Sequence, residues 1–249
     1  MNTAADSENK IHDDHVAANY GFRGGLVPGV TVYGYMTMPV LEHFGEEWLE
    51  RGAMSVRFKE PVYEGEDVAI ASTVDESGRL TVSVENGRAA GLAWMERDRM
   101  PPRVEDYPAL EMTPHDRRPG ASTETLAQGA VLGTLTTTLD LAMATMSAPL
   151  PARIGEARLA HPAILLALAN EILVRNFVLG PWIHAASEVT NFSAARDGET
   201  LEVRGKVEET YERKGHQFVV LNLLTLSGTR VIQAVRHTAI WKPRRGLAR

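Results

Sequence analysis

Apolar and polar positions change period several times along the chain, and each change predicts an element. Val30, Val32, Tyr33, Tyr35, Met36, Met38, Val40, Leu41 and Phe44 together cover most of a helical circumference, which predicts a buried helix over about Val30–Arg51. Pro39 predicts a kink or break within it, and Gly52 stands where a glycine ends a helix. Alternation then replaces helical spacing at Met54, Val56 and Phe58, and Pro61 places that strand at an edge or bulge. Asp67–Val74, Arg79–Glu85 and Ala89–Met95 read as three further strands, with turns at Glu76-Ser77-Gly78 and Asn86-Gly87.

The same order recurs later. Asp98–Gly120 holds five of the chain's 13 prolines and reads as an extended linker. A β-rich run at Ala130–Leu139 follows, then a second helix over about Pro162–Leu179. Strands near Ile183–Phe192, Thr200–Tyr211, His216–Leu226 and Thr229–Trp241 complete this half. SVRFKEPVYEGEDV and EVTNFSAARDGETL superpose with Val56 on Val189, Gly65 on Gly198, Glu66 on Glu199 and Val68 on Leu201, each pair 133 positions apart. The same offset carries Val30 to Ala163 and Leu41 to Val174, so the helices align without a gap. Two copies of helix-then-meander predict an α+β fold in which two antiparallel sheets each wrap a long central helix. The units implied are 1–97, a Pro-rich linker at 98–120, a second half at 121–243 and a basic tail at 244–249.

Composition narrows the function. With 249 residues, 44% apolar and 23% charged, the chain has an ordinary globular composition, and its net charge of −6 argues against a nucleic-acid partner. It has no cysteine, which excludes disulfides, thiolate nucleophiles and cysteine-ligated metals. MNTAADSENK lacks a basic flank followed by an apolar core, and Glu42 and His43 interrupt the most apolar stretch of the first half. The expectation is a soluble cytoplasmic protein with no membrane association.

The chemistry is concentrated in Asn9–Gly34, a polar loop with two histidines that tightens through Gly21, Gly24 and Gly25 and passes Pro28-Gly29 into the first helix. A helix start leaves amide N–H groups unpaired and carries partial positive charge, so it can receive a developing oxyanion. A histidine just before such a start can supply proton transfer. His12 is that candidate, Asn9 would orient, and the Gly29 amide would polarise a carbonyl.

Asn9-x-x-His12, followed by Asp14, Ala18, Gly21-Phe22 and Pro28-Gly29 leading into an apolar helix, resembles the hydratase motif of MaoC-like, R-specific enoyl-CoA hydratases. That family has the hotdog fold, often duplicated as a double hotdog. The resemblance is sharp over roughly residues 7–35 and looser over VRFKEPVYEGEDV. It implies a hydro-lyase that adds or removes water at an enoyl or 3-hydroxyacyl thioester, most naturally an acyl-CoA. His12, Asn9 and Asp14 would be the catalytic set, and Gly29, Ser7, Val30 and Tyr33 would lie against the substrate, with no metal and no cofactor. In the family's motif an Asp pairs with the His, and here Ser7 occupies that Asp position; a hydroxyl cannot act as a carboxylate base. Asp6, Glu8, Asp13 and Asp14 are the nearby carboxylates.

At the 133 offset His12 falls on Thr145 and Asn9 on Ala142, so one active site per chain is expected, with the second half closing an apolar tunnel. Other readings stand beside hydration. Glu171 on the second helix could activate water for thioester hydrolysis, or simply pair with Arg175 one turn on. With Ser7 at the carboxylate position the same fold could instead run some other proton-transfer reaction on a biosynthetic intermediate, and the pocket could also bind an acyl group without chemistry, as an acyl-binding subunit. His161 either lines the pocket or serves the second helix start, His15 reads as solvated, and His184, His216 and His237 show no metal spacing. Hotdog sheets pair edge to edge, so a homodimer or an internally paired monomer follows from the resemblance.

Overall fold

An apolar circumference can be satisfied only by neighbours on several sides, and the helix beginning at Gly29 has them. The computed structural model describes residues 9–96, 98–142 and 150–244. A short 3-10 turn at Lys10–His12 is followed by α1 (Asp14–Ala18), α2 (Gly29–Phe44) and α3 (Trp48–Arg51). The single helix expected to Arg51 is two helices, because Gly45 adopts a left-handed conformation (φ 75°) and its N–H closes on the Leu41 carbonyl at 3.0 Å. Pro39 lies inside α2 without ending it. The meander follows as β1 (Gly52–Phe58), β2 (Ile70–Val74), β3 (Leu80–Val84) and β4 (Ala89–Met95).

The second half comprises β5 (Leu135–Thr138), α4 (Ala152–Glu156), α5 (Pro162–Asn176), β6 (Ile183–Asn191), β7 (Thr200–Arg213), β8 (His216–Ser227) and β9 (Arg230–Lys242). The strands form one antiparallel sheet in the order β2-β3-β4-β1-β6-β9-β8-β7-β5. The two expected sheets are therefore continuous, joined where β1 pairs with β6 from Ala53–Thr190 to Arg57–Ala186. Geometry repeats at the offset read from the sequence. The isolated bridges Leu26–Tyr63 and Leu159–Arg196 are counterparts, and Gly65 and Gly198 both take positive φ, 77° and 80°.

One core cluster gathers α2, α5 and the inner face of the sheet, with Tyr33, Met36, Leu41, Leu166, Ile172 and Leu173 almost wholly buried. Of residues 98–120, the stretch around Val104–Tyr107 lies on the opposite face of β8 and β9, while Leu110 bonds Thr134 and Gly120 bridges Val178. Tyr107 packs with Leu224, Leu226 and Val231 and donates from its hydroxyl to Asn222 Oδ1 at 2.7 Å. A third small cluster, Ile11, Ala17 and Leu26, fixes the loop before α2; burying Ile11 alone contributes about 2 kcal/mol.

Candidate active site

Asn9 begins the site. Its side chain is buried, its Nδ2 donates to the Trp182 carbonyl at 2.9 Å, and its Oδ1 accepts from Trp182 N at 3.1 Å and Ile11 N at 3.3 Å. The amide pairs like a peptide group with the other half of the chain while it caps its own turn. His12 is fixed by the chain that returns beside it: Nδ1 lies 2.6 Å from the Leu26 carbonyl. A carbonyl only accepts, so Nδ1 carries the proton and Nε2 the lone pair, with Asn9 Nδ2 approaching Nε2 at 3.4 Å. Burial lowers the His12 pKa below 6.5, with the Leu26 carbonyl working against it.

His12 opens on a cavity of about 260 Å³ lined by both halves. The loop contributes Asn9, Ile11, Phe22 and Leu26, the start of α2 gives Pro28, Gly29 and Val32, and Phe58–Val62 form a side. Trp182, Ile183 and His184 come from the start of β6, and Asn170 from α5. Gly29 is there for space, not conformation. A Cβ on it would meet His184 Nδ1 at 3.0 Å and His184 Cβ and Cγ at 3.3 Å.

Several expected residues lie elsewhere. Asp14 is exposed at the start of α1, where its Oδ1 accepts from Gly25 N at 2.6 Å and locks the glycine turn; it does not line the cavity. Gly25 itself has no room for a side chain, because the His12 carbonyl lies against it. Val30 and Tyr33 point into the core and Val32 lines the cavity in their place, a matter of helix phase. Ser7, Asp6, Glu8 and Thr145 lie outside the described residues. His15 is exposed, and His161 caps α5 by accepting from Ala163 N at 3.0 Å. Glu171 does not line the cavity and accepts from Arg175 Nη2 at 3.2 Å. Among the described residues no three His, Asp or Glu side chains converge on a metal site, and no helix is long and apolar enough to cross a membrane.

A polar group not anticipated from the sequence backs the cavity. His184 Nε2 lies 2.8 Å from Ser187 Oγ, which lies 3.1 Å from His237 Nδ1, and the two rings are 4.4 Å apart. Phe58 packs edge-on against His184 at 4.7 Å. Burial holds His184 well below 6.5, helped by His237 and opposed by the Ala186 backbone; burial alone takes His237 down to about 3. These residues converge only through the β6–β9 pairing and its bulge between His184 and Ala186, so no local sequence spacing announces them.

No family model matches the chain, and no curated protein matches it. Solved structures do. A conserved hypothetical protein of Mycobacterium tuberculosis with a double hotdog fold is similar at TM-score 0.58 and 16% identity, over 94% of this chain and 88% of that one. The fold is a double hotdog. A protein from Chloroflexus aurantiacus J-10-fl named as a MaoC domain dehydratase gives TM-score 0.65 at 12% identity, covering 98% of this chain and 90% of that one. One from Novosphingobium aromaticivorans named as a thioesterase gives 0.51 at 11%, covering 88% of each. In this double hotdog α2 and α5 are the two wrapped helices, and the cavity lies at the α2 start, where the halves meet.

Proposed function

We propose that the protein is a MaoC-like hydratase or dehydratase that adds or removes water at an enoyl or 3-hydroxyacyl thioester, with coenzyme A as the carrier. The observation that carries this reading is the state of His12: its Nδ1 proton is committed to Leu26, so the basic Nε2 belongs to the same apolar cavity as the α2 start. Neutral at pH 7 through burial, it is ready to act as a base.

In hydration, Nε2 takes a proton from water as the water oxygen bonds to the β-carbon of the enoyl group. The π electrons move through the α-carbon onto the thioester oxygen. The first amides of α2 stabilise that enolate, each well-placed donor contributing on the order of 3 kcal/mol. The pair then returns to the α-carbon and takes the proton from the imidazolium, leaving a 3-hydroxyacyl thioester and neutral His12. One residue serving both steps fits a chain with Ser7 at the carboxylate position.

His12→Ala should lower crotonyl-CoA hydration by about a thousandfold or more while melting cooperatively near the parent temperature. Unchanged turnover in that variant sinks the assignment. Release of free thiol from acyl-CoA, abolished by Glu171→Gln, would support thioester hydrolysis instead; the Arg175 pairing of Glu171 and its place off the cavity weigh against that reading.

A further inference from the structure

Asn170 is the polar side chain that α5 gives the cavity, and water addition as written above has no use for it. It follows an apolar run, Ile164–Ala169, on that helix. Its Oδ1 is shut in with no donor. Its Nδ2 likewise has no partner among the described residues, but it is not shut in: it is the end of the amide that the cavity leaves accessible.

Other interior polar groups of this kind are matched. Asn176, on the same helix, donates to the Gly133 and Ile172 carbonyls at 3.1 and 2.9 Å and accepts from Gly133 N at 2.6 Å. Asn191 donates to the Trp48 carbonyl at 3.0 Å and accepts from Gln233 Nε2 at 2.9 Å. Thr37, the counterpart of Asn170 at the 133 offset, closes its hydroxyl on the Gly34 carbonyl at 2.9 Å. An unpaired amide in an apolar cavity costs free energy that an apolar side chain would not, so Asn170 calls for a partner that arrives with the ligand.

The thioester carbonyl already has donors. At the α2 start Thr31 N and Val32 N both bond the Pro28 carbonyl, at 2.9 and 3.2 Å, which leaves the Gly29 and Val30 N–H groups for the ligand. Two donors match the two lone pairs of one carbonyl oxygen. A carboxylate is a poor partner too. The cationic side chain on the cavity, Lys59, is exposed and stands next to Glu60, and burial pushes the lining imidazoles His12, His184 and His216 below 6.5.

We propose that Asn170 selects the acyl group, its Nδ2 donating to a neutral oxygen, a hydroxyl or keto group, carried by the acyl chain beyond the β-carbon. The substrate class is then oxygenated acyl thioesters, and crotonyl-CoA is a minimal analogue that reaches His12 without pairing Asn170. The proposal rests on the thioester reading above. A site that pairs a substrate oxygen rejects the plain chain more sharply than an apolar pocket discriminates by size, because the plain chain leaves the amide unpaired.

The test uses the full chain and saturated CoA thioesters, which bind without turning over: 4-hydroxyvaleryl-CoA and 5-oxohexanoyl-CoA, their parents valeryl-CoA and hexanoyl-CoA, and succinyl-CoA. Calorimetry on the wild type should show at least one oxygenated ester binding about tenfold or more tighter than its parent, with succinyl-CoA weaker than that ester. Asn170→Leu should weaken the oxygenated ester about tenfold and tighten the plain one, a reversal that a merely structural asparagine would not give. Asn170→Ala, which cannot crowd the cavity, should lose the preference as well. Equal affinity of both oxygenated esters and their parents, tightest binding of succinyl-CoA, or a preference that survives in both variants overturns the proposal. Hydration of crotonyl-CoA judges the lyase reading apart. Turnover without an oxygen preference overturns the proposal alone, and a preference without turnover removes the lyase reading and leaves the selection standing. A wild type that binds none of the esters overturns both.

Discussion

Ser55 pairs with Glu188 across the β1–β6 junction, and the two residues are 133 positions apart. That is the offset relating the halves, so each member of the pair faces its own counterpart and the local two-fold passes between them. Pairing on either side is reciprocal. Ala53 meets Thr190, the counterpart of Arg57, while Arg57 meets Ala186, the counterpart of Ala53. One chain achieves internally the contact that two identical copies make in an isologous dimer. Among the described residues β2 and β5 are the two outer edges of the sheet, the places where a second copy could pair strand to strand.

Asn9→Ala should cost about 2–4 kcal/mol, because the Trp182 N–H and carbonyl both lose their partner in a buried place. Urea unfolding monitored by tryptophan fluorescence measures it. A loss below about 0.5 kcal/mol would mean that water replaces the amide and that the clasp between the halves is dispensable.

Gly29→Ala should separate stability from activity. The backbone there needs no positive φ, so alanine gains up to about 1 kcal/mol by restricting the unfolded chain, offset by crowding against the His184 ring. The expected result is a melting temperature close to the parent's with crotonyl-CoA turnover reduced about tenfold or more as the carbonyl site narrows. Full turnover with the added methyl group would show that the substrate does not approach this point.

Acid should destabilise the protein well before its carboxylates titrate. His12, His184 and His237 are held below 6.5 in the native state, mainly by burial, and His237 lies at about 3. Below 6.5 the unfolded chain binds more protons than the native one, so stability is complete above that pH and declines beneath it. Each such histidine costs about 1.4 kcal/mol per pH unit until its native pKa is reached. Urea midpoints should therefore fall steeply between about pH 7 and about pH 5, and His237→Leu should flatten the slope by about one proton. A level profile would mean that these imidazoles are charged or solvated.

Glu171→Gln should leave crotonyl-CoA turnover within about twofold and stability within about 0.5 kcal/mol, the scale of an exposed i,i+4 ion pair. Steady-state kinetics and a urea titration decide it, and a large kinetic effect would bring α5 into the chemistry.

The strands and the two wrapped helices were legible because their signals are local. Val56, Gly65 and Glu66 recur as Val189, Gly198 and Glu199, and the paired glycines mark one left-handed turn made twice. The end of α2 was hidden because Trp48 and Leu49 continue the apolar run past Gly45, and only backbone geometry reveals the stop. In the site, His12 and Asn9 could be picked out from the spacing of a loop that leads into a helix. Val32 could not be preferred to Val30 or Tyr33, since the rotation of α2 against the cavity is set by packing. Asp14 offered a carboxylate at a suitable distance in sequence, but it serves the Gly25 turn. His184 had no signal at all: its place depends on β6 docking against a helix start more than 150 residues earlier in the chain.

The offset that matches Gly65 to Gly198 also sets His184 opposite Arg51, and His161 opposite Pro28. Were the halves separate copies of one gene product, every mutation would strike both sides of the slot at once. A covalent tether lets the two walls differ in sequence, so that one carries the Asn9–His12 loop while the other carries His184. Asymmetry of this kind is open to a fused chain and closed to a homodimer.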